Sequence, residues 1–199
     1  MAVLMDVDLE YKGTVKLESR ERLGFEIPNS TLGHASFVSK NILDNTKRNL
    51  IILTGDANEI DCLGLRENLD ALANRIRNPP FLYQFFNTLK RKDKHQDIAG
   101  RIRILFSDES SENYDFYNFA RDYADIMKIK KFENPNPATP HFLVSDSVRY
   151  RLEKNHTKED LKDYKINAEA NFNNPRIAGL YEEFFNKCWN LEDKLISVQ

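Results

Sequence analysis

The chain has 199 residues, of which 41% are apolar and 30% are charged, and its formal net charge is −2. These values are typical of a folded chain that buries one main core. The small net charge excludes a whole-molecule field that would attract nucleic acid or an anionic membrane, so any basic site must be a local patch.

The N-terminal residues predict a small β element. Apolar and polar residues alternate on both sides of Lys12-Gly13, a dipeptide of turn composition. We therefore predict a β hairpin between Val3 and Glu26. It would form an N-terminal extension, residues 1–28, ahead of a main domain at 29–199.

Helical patterns and buried strands alternate through the middle of the chain. Apolar runs without alternation at 49–55 and 101–106 indicate strands covered on both faces, as in a central parallel sheet. A helical pattern at 63–92 is broken at Asn78-Pro79-Pro80, because two prolines do not fit a helix interior. The other predicted elements are a helix after 29–31, a helix at 114–127 and a strand at 128–132.

The C-terminal third predicts a hairpin and a last helix. Strands at 141–145 and 148–153 flank Asp146-Ser147, and a polar, charged segment at 154–165 is expected to be exposed. Residues 166–172 lead to Asn173-Asn174-Pro175, a cap-and-proline helix start. The last helix is expected to turn a set of apolar residues inward, namely Ile177, Leu180, Phe184, Cys188 and Trp189. This order of elements predicts an α/β fold, a layered sheet flanked by helices.

Two segments carry a family resemblance. The first runs from Thr139 through His141 to Asp146, and the second contains Ala168-Glu169-Ala170-Asn171-Phe172. Together they resemble the phospholipase D active-site motif, His-x-Lys-x-x-x-x-Asp followed by Gly-Ser-x-Asn-Phe. In this register Thr139 stands at the nucleophilic His, His141 at the Lys, and Asn171-Phe172 at the Asn-Phe.

The resemblance implies a phospholipase D-like fold without its chemistry. The family uses His as the nucleophile on phosphorus and Lys as a cation on the phosphoryl oxygens. Neither residue type is in place, so we expect no catalysis. Active members build one site from two halves, and a single half therefore implies a homodimer or a partner protein across the face that carries His141 and Asn171.

Four residues are the candidates for a displaced catalytic set: His141, Asp146, Glu169 and Asn171. Glu169 and Asn171 share a strand face, and if this face lined the same cleft as His141 the three would form a polar cluster. The alternatives are structural: His141 bonds a loop carbonyl, Asp146 forms the hairpin turn, and Asn171 caps a helix.

Two other segments are candidate binding sites. Gly55 and Asp56 follow the first buried strand, where ligands lie in open α/β sheets, but a glycine-rich phosphate cradle is missing. Lys90, Arg91 and Lys92 form a dense cationic run with Arg101 and Arg103 close behind, which predicts either contact with nucleic acid or a solvated helix end.

The cysteine content, the first residues and the length of the apolar stretches predict the compartment and the cofactors. Two cysteines, Cys62 and Cys188, do not make a disulfide framework or a cysteine-based zinc finger. The start of the chain does not have the pattern of a signal peptide, and no apolar stretch approaches the roughly 20 residues that cross a bilayer. We expect a cytoplasmic protein that has no membrane association, no cofactor and no bound metal.

Three functional hypotheses remain open. The first is a non-catalytic phospholipase D-like binding or assembly module in a cytoplasmic multi-component system. The second is a phosphodiesterase or nuclease with a displaced catalytic set, and the third is a nucleotide-sensing α/β module with its ligand near Gly55 and Asp56. Convergence of His141, Glu169 and Asn171 on one cleft would favour the second.

Overall fold

The computed structural model describes residues 7–78, 100–107, 113–133, 139–154, 165–191 and 195–197. The helices in these ranges are α1 (Leu9–Glu21), α2 (Leu32–Asn45), α3 (Ala57–Cys62), α4 (Arg66–Arg77), α5 (Tyr114–Asp122) and α6 (Pro175–Trp189). The strands are β1 (Ile27–Thr31), β2 (Leu50–Thr54), β3 (Ile102–Phe106), β4 (Met127–Phe132), β5 (His141–Ser145), β6 (Arg149–Glu153), β7 (Lys165–Asn171) and β8 (Leu195–Ser197).

The described strands form one eight-stranded sheet in the order β1-β7-β6-β5-β2-β3-β4-β8. β2, β3 and β4 are parallel to each other, and every other neighbouring pair is antiparallel. Because β5 runs antiparallel to β2, the first residue of β5 lies beside the carboxyl end of β2. This pairing determines which side chains lie together at each end of the strands.

Side-chain alternation along β2 divides the core into two layers. Leu50 and Ile52 belong to the larger cluster, which packs under α1 to α5, whereas Ile51 and Leu53 belong to the cluster under α6. All five residues of β2 are buried, as expected for a strand covered on both faces. The predicted α/β layered sheet is therefore confirmed.

The hairpin predicted between Val3 and Glu26 is wrong, because residues 9–21 form α1. The Asp8 carboxylate caps this helix by accepting from the Tyr11 N–H at 2.7 Å. Residues 11, 15 and 18 face the core at helical spacing, and Val15 is fully buried. The apolar residues that suggested an alternating strand lie on different faces of this helix. The strand in this region is β1, and the boundary predicted at residue 28 falls inside it.

Most of the remaining predicted elements agree with the structure. α4 ends at Arg77, just before the predicted break at the prolines, and the hairpin of β5 and β6 is confirmed. α5 ends at Asp122 rather than at residue 127. The cationic run Lys90-Arg91-Lys92 and most of segment 154–165 lie outside the described residues. Within the described part of the chain, no helix is long and apolar enough to span a bilayer.

The face that α6 turns to the sheet differs from the predicted one. Ala178 and Phe185 are fully buried, whereas Leu180 and Phe184 are 56% and 39% exposed. Apolar residues occur on both sides of this helix, so periodicity alone did not identify the buried side. Contacts with the sheet do, since Phe185 packs among β2, β5 and β6 residues and stacks on Trp189 at 5.4 Å.

Substitutions at the two neighbouring phenylalanines test this orientation. We expect Phe185→Ala to lower the free energy of unfolding by about 3–5 kcal/mol, because it leaves a cavity in a closed core. Phe184→Ala should cost much less, since that ring is partly in water. Urea denaturation of both variants gives the comparison, and equal losses would contradict the orientation described.

Candidate functional site

Local structure after β2 brings a carboxylate back over the end of that strand. Asp56 caps α3, and its side chain accepts from the N–H groups of Asn58 and Glu59 at 2.8 and 3.1 Å. The chain therefore turns sharply after Gly55, and Glu59 in the first turn of α3 points towards Thr54. This cap is the structural role of Asp56 in the predicted binding loop.

Three groups surround one oxygen of Glu59. The Thr54 hydroxyl and the Gly55 N–H, at 2.9 Å, both donate to Glu59 Oε2. His141 Nδ1 lies 3.2 Å from the same oxygen, at ion-pair distance. Donors that converge on one point make a cradle for an anion, and here the anion is a carboxylate of the chain itself. We call these four residues the Glu59 cradle.

Glycine at position 55 makes this arrangement possible. A Cβ atom built at Gly55 would lie 2.5 Å from Glu59 Oε1, which is closer than real contacts allow. The missing side chain therefore lets the carboxylate approach the backbone. The sequence pointed to Gly55 as a ligand contact, and in the structure its amide contacts Glu59.

A second ion pair lies beside the Glu59 cradle. Arg151 and Glu153, both less than 8% exposed in their side chains, bring Nη2 and Oε2 to 2.7 Å. Arg151 Nε also donates to Asn29 Oδ1 at 3.1 Å. At 2.7 Å this contact is an ion pair, but the geometry at Nη2 is not that of a hydrogen bond. Glu153 pairs in register with His141, so the two ion pairs are neighbours.

A small cavity of about 130 Å³ separates these groups from the helices above them. Its polar lining consists of Thr54, Glu59, His141, Arg151 and Glu153. Much of the remaining lining is aliphatic and includes Leu32, Ile60, Leu63 and Leu65. The cavity is smaller than the roughly 300–1,000 Å³ typical of drug-sized ligand pockets, so it suits a small group rather than a nucleotide.

Asp146 lies at the opposite end of β5 from His141. Its carboxylate accepts from the N–H groups of Lys47, Arg48 and Asn49 at 2.8–3.0 Å. Arg149 Nη1 is 3.3 Å away. Asp146 also adopts the left-handed conformation, with φ of 53°, that the hairpin turn requires. It fixes the entry of the chain into β2 and lies outside the cavity.

Glu169 and Asn171 do not join His141 either. β7 and β5 both run antiparallel to β6, so the end of β7 lies at the Asp146 end of the sheet. Asn171 Nδ2 donates to the Gly24 carbonyl at 2.7 Å, and Glu169 accepts from the Tyr150 hydroxyl at 3.4 Å on the α6 side of the sheet. Burial raises the pKa of Tyr150, and the nearby Glu169 carboxylate raises it further. The polar cluster of His141, Glu169 and Asn171 is therefore not formed.

The cradle and the ion pair beside it contain residues that the sequence patterns did not assign to a site, namely Glu59, Arg151 and Glu153. Arg151 and Glu153 alternate on β6, and charged residues at spacing two on an otherwise buried strand are the signal that could have located this pair. Within the described ranges, no group of three or more His, Cys, Asp or Glu side chains is arranged to hold a metal ion.

Comparison with known proteins identifies the fold. No family model matches the sequence, and a search of curated proteins gave no match. Among solved structures, the phospholipase D family member NUC from Salmonella typhimurium matches with a TM-score of 0.54 at 14% identity, over 83% of this chain and 95% of its own.

A second structure gives a similar match. TrmBL2, an archaeal chromatin protein with a novel mode of DNA binding, matches with a TM-score of 0.53 at 13% identity, over 94% of this chain. The chain spans only 63% of the length of TrmBL2. At such identities these likenesses show the fold alone, and the chain has a phospholipase D-like α/β fold.

Removal of the Glu59 carboxylate tests its role in the cradle. We expect Glu59→Ala to lower the free energy of unfolding by about 1–3 kcal/mol, because the Thr54 hydroxyl and the Gly55 N–H lose their acceptor. Glu183→Ala is the control, since Glu183 forms an exposed ion pair on α6 and such pairs contribute little. Urea denaturation compares the two, and equal small effects would show that the cradle is not a stabilising unit.

Proposed function

We propose that the chain is a non-catalytic phospholipase D-like module that acts through binding or assembly, in a cytoplasmic multi-component system. One observation carries this proposal: the anion cradle at the end of β2 is filled by Glu59. A phosphoryl group at this place would have to displace a carboxylate that accepts from two donors and lies 3.2 Å from His141.

The charges around the cavity support the same conclusion. His141 is matched by Glu59, and Arg151 is matched by Glu153. Stabilisation of a phosphoryl transition state needs donors and cations directed at the oxygens that gain negative charge. Two carboxylates in the same small cavity oppose that charge. The site is therefore suited to structural stability or to a small polar ligand rather than to phosphodiester cleavage.

The position of the nucleophile gives a further argument. Thr139, which the resemblance places at the nucleophilic histidine, is 8% exposed. A threonine hydroxyl attacks phosphorus poorly unless a neighbouring base activates it. A displaced catalytic set is not supported, because Asp146 and Asn171 lie at the other end of the sheet from His141. A nucleotide site is not supported at the loop after β2, since the Gly55 amide and the Asp56 carboxylate bond to the chain itself.

A second copy of the chain is the partner that we propose for assembly. Single halves of the phospholipase D family imply a dimer, and α6 offers a surface for one. Leu180 and Phe184 lie four residues apart on this helix and are both partly in water, although the Phe184 ring also contacts Phe142. Apolar side chains that are neighbours on an exposed helix can form part of such a contact surface. The two-fold axis would lie at α6 rather than at His141 and Asn171, which the structure separates.

Nucleic acid is the other candidate partner. The fold is shared with TrmBL2, a chromatin protein that binds DNA. This likeness supports nucleic acid as a ligand class for the module without indicating which surface would bind it.

Hydrolysis assays test the absence of catalysis. With a chromogenic phosphodiester, DNA, RNA and a phospholipid as substrates, in the presence of EDTA, we expect rates equal to those of the buffer blank. His141→Ala should leave these rates unchanged. His34→Ala is the matched control, because His34 stacks on Tyr11 and does not line the cavity. Hydrolysis that is lost in His141→Ala and kept in His34→Ala would overturn the proposal and favour a phosphodiesterase.

Sedimentation velocity tests self-association. At tens of micromolar we expect a dimer, and Leu180→Lys with Phe184→Lys should shift it to the monomer by placing two charges in an apolar contact. Leu17→Lys is the control, since Leu17 is an exposed apolar residue of α1, on the other side of the sheet. A wild-type protein that stays monomeric throughout this concentration range would contradict the dimer.

A further inference from the structure

A groove of positive charge lies at the end of the sheet opposite the Glu59 cradle, where β2, β3 and β4 begin. It has a volume of about 420 Å³ and is lined by Asn49, Gly100, Arg101, Arg103, Lys128 and Trp189. We call it the basic groove. Lys47 and Arg48, which are exposed, precede Asn49 at the same end of the sheet and extend the positive surface.

Strand register places these cations together. Arg103 on β3 pairs with Lys128 on β4, and both side chains project from the α6 side of the sheet. Lys130 lies two residues from Lys128 along β4 and shares its face, and Arg101, the residue before β3, lines the same groove. Adjacent strands are about 4.8 Å apart, and like charges opposite one another are destabilising. Arg103 and Lys128 therefore present two positive charges side by side at this end of the sheet.

Residues of α6 hold the cations in position. Arg103 Nη1 donates to Asn186 Oδ1 at 2.8 Å, and its guanidinium lies over the rings of Phe185 and Trp189 at 5.2 and 5.7 Å. Lys130 Nζ donates to the Trp189 carbonyl at 2.9 Å and lies 4.9 Å from the ring centroid. Groups that are fixed before binding lose less entropy when a ligand arrives.

Nearby carboxylates do not remove this charge from Arg103. Burial lowers the pKa of Arg103, and the Glu182 carboxylate opposes this effect. The guanidinium still stays protonated, because arginine is not deprotonated in proteins. Asp146, at the same end of the sheet, is already bonded to Arg149 and to the backbone of residues 47–49.

We infer that the basic groove binds the phosphodiester backbone of nucleic acid. Several cations along an open groove fit a ligand with repeated negative charges better than a single phosphate. Phe185 and Lys130 pack on the Trp189 ring, so it is not free to stack on bases, and we expect binding that is independent of sequence. A membrane fits less well, because this aromatic ring is packed inside the groove and not presented for insertion.

The inference rests on the proposal that the module binds without cleaving. It is tested by fluorescence anisotropy with labelled single-stranded oligothymidine and with a DNA duplex of equal length. We expect affinity to fall steeply between about 50 and 200 mM salt, because each neutralised phosphate releases counterions. Arg101→Ala with Lys128→Ala should weaken binding on the order of tenfold and lower the salt slope by about 2.

A matched double variant controls for net charge. Lys16→Ala with Arg20→Ala also removes two positive charges, but from exposed positions of α1 on the other side of the sheet. This variant should keep wild-type affinity and salt slope. The melting temperatures of both double variants show whether the fold is retained, which separates a loss of binding from unfolding.

The inference would be overturned if the wild type did not bind at low salt, or if the two double variants weakened binding equally. It would also be overturned if the protein bound anionic vesicles through Arg101 and Lys128 and did not bind DNA. Gel analysis of the oligonucleotides after each titration tests the proposed function separately. Cleaved DNA would overturn the non-catalytic proposal, whereas intact but unbound DNA would overturn only the basic groove.

Discussion

The antiparallel pairing of β5 with β2 is the constraint on which the rest of the structure depends. Its register, Leu50 with Ser145 through Leu53 with Phe142, places the two ends of β5 in different surroundings. His141 at the start of β5 meets Glu59 at the carboxyl end of β2. Asp146 at the other end holds the backbone that leads into β2. A shift of one residue would turn each of these side chains to the other face.

This pairing places different polar groups at the two ends of the central strands. At the carboxyl end of β2, the His141 imidazole and the Arg151 guanidinium lie beside the carboxylates of Glu59 and Glu153. At the amino edge, Arg103 and Lys128 are direct neighbours across two parallel strands. The two ends therefore differ in how their charged groups are paired: His141 lies beside Glu59 and Arg151 beside Glu153 at one end, whereas Arg103 lies beside Lys128 at the other.

The buried ion pair of Arg151 and Glu153 loses solvation free energy and gains electrostatic attraction. Two charges removed from water lose several kcal/mol of solvation each, and their attraction offsets that loss only with good geometry and additional bonds. Asn29 on β1 supplies one such bond to Arg151 across β7. The bond from Arg151 to Asn29 thus links β6 to the edge strand β1.

The sequence by itself determined the elements whose signal is local. Continuous apolar runs identified β2 and β3, the prolines after Asn78 marked the end of α4, and Asp146-Ser147 located the turn between β5 and β6. It also singled out His141, which lines the polar cavity, and Gly55, whose amide donates to Glu59. Tertiary structure decided the rest. Residues 9–21 could alternate as strands or form a helix, and only packing of Val15 into the core selects the helix. Phe184 and Phe185 are equally apolar, and only contact with the sheet shows which one is buried. Strand order and register place Glu59 beside His141 and Arg103 beside Lys128. These residues are far apart in the chain, so no local sequence pattern indicates that they are neighbours.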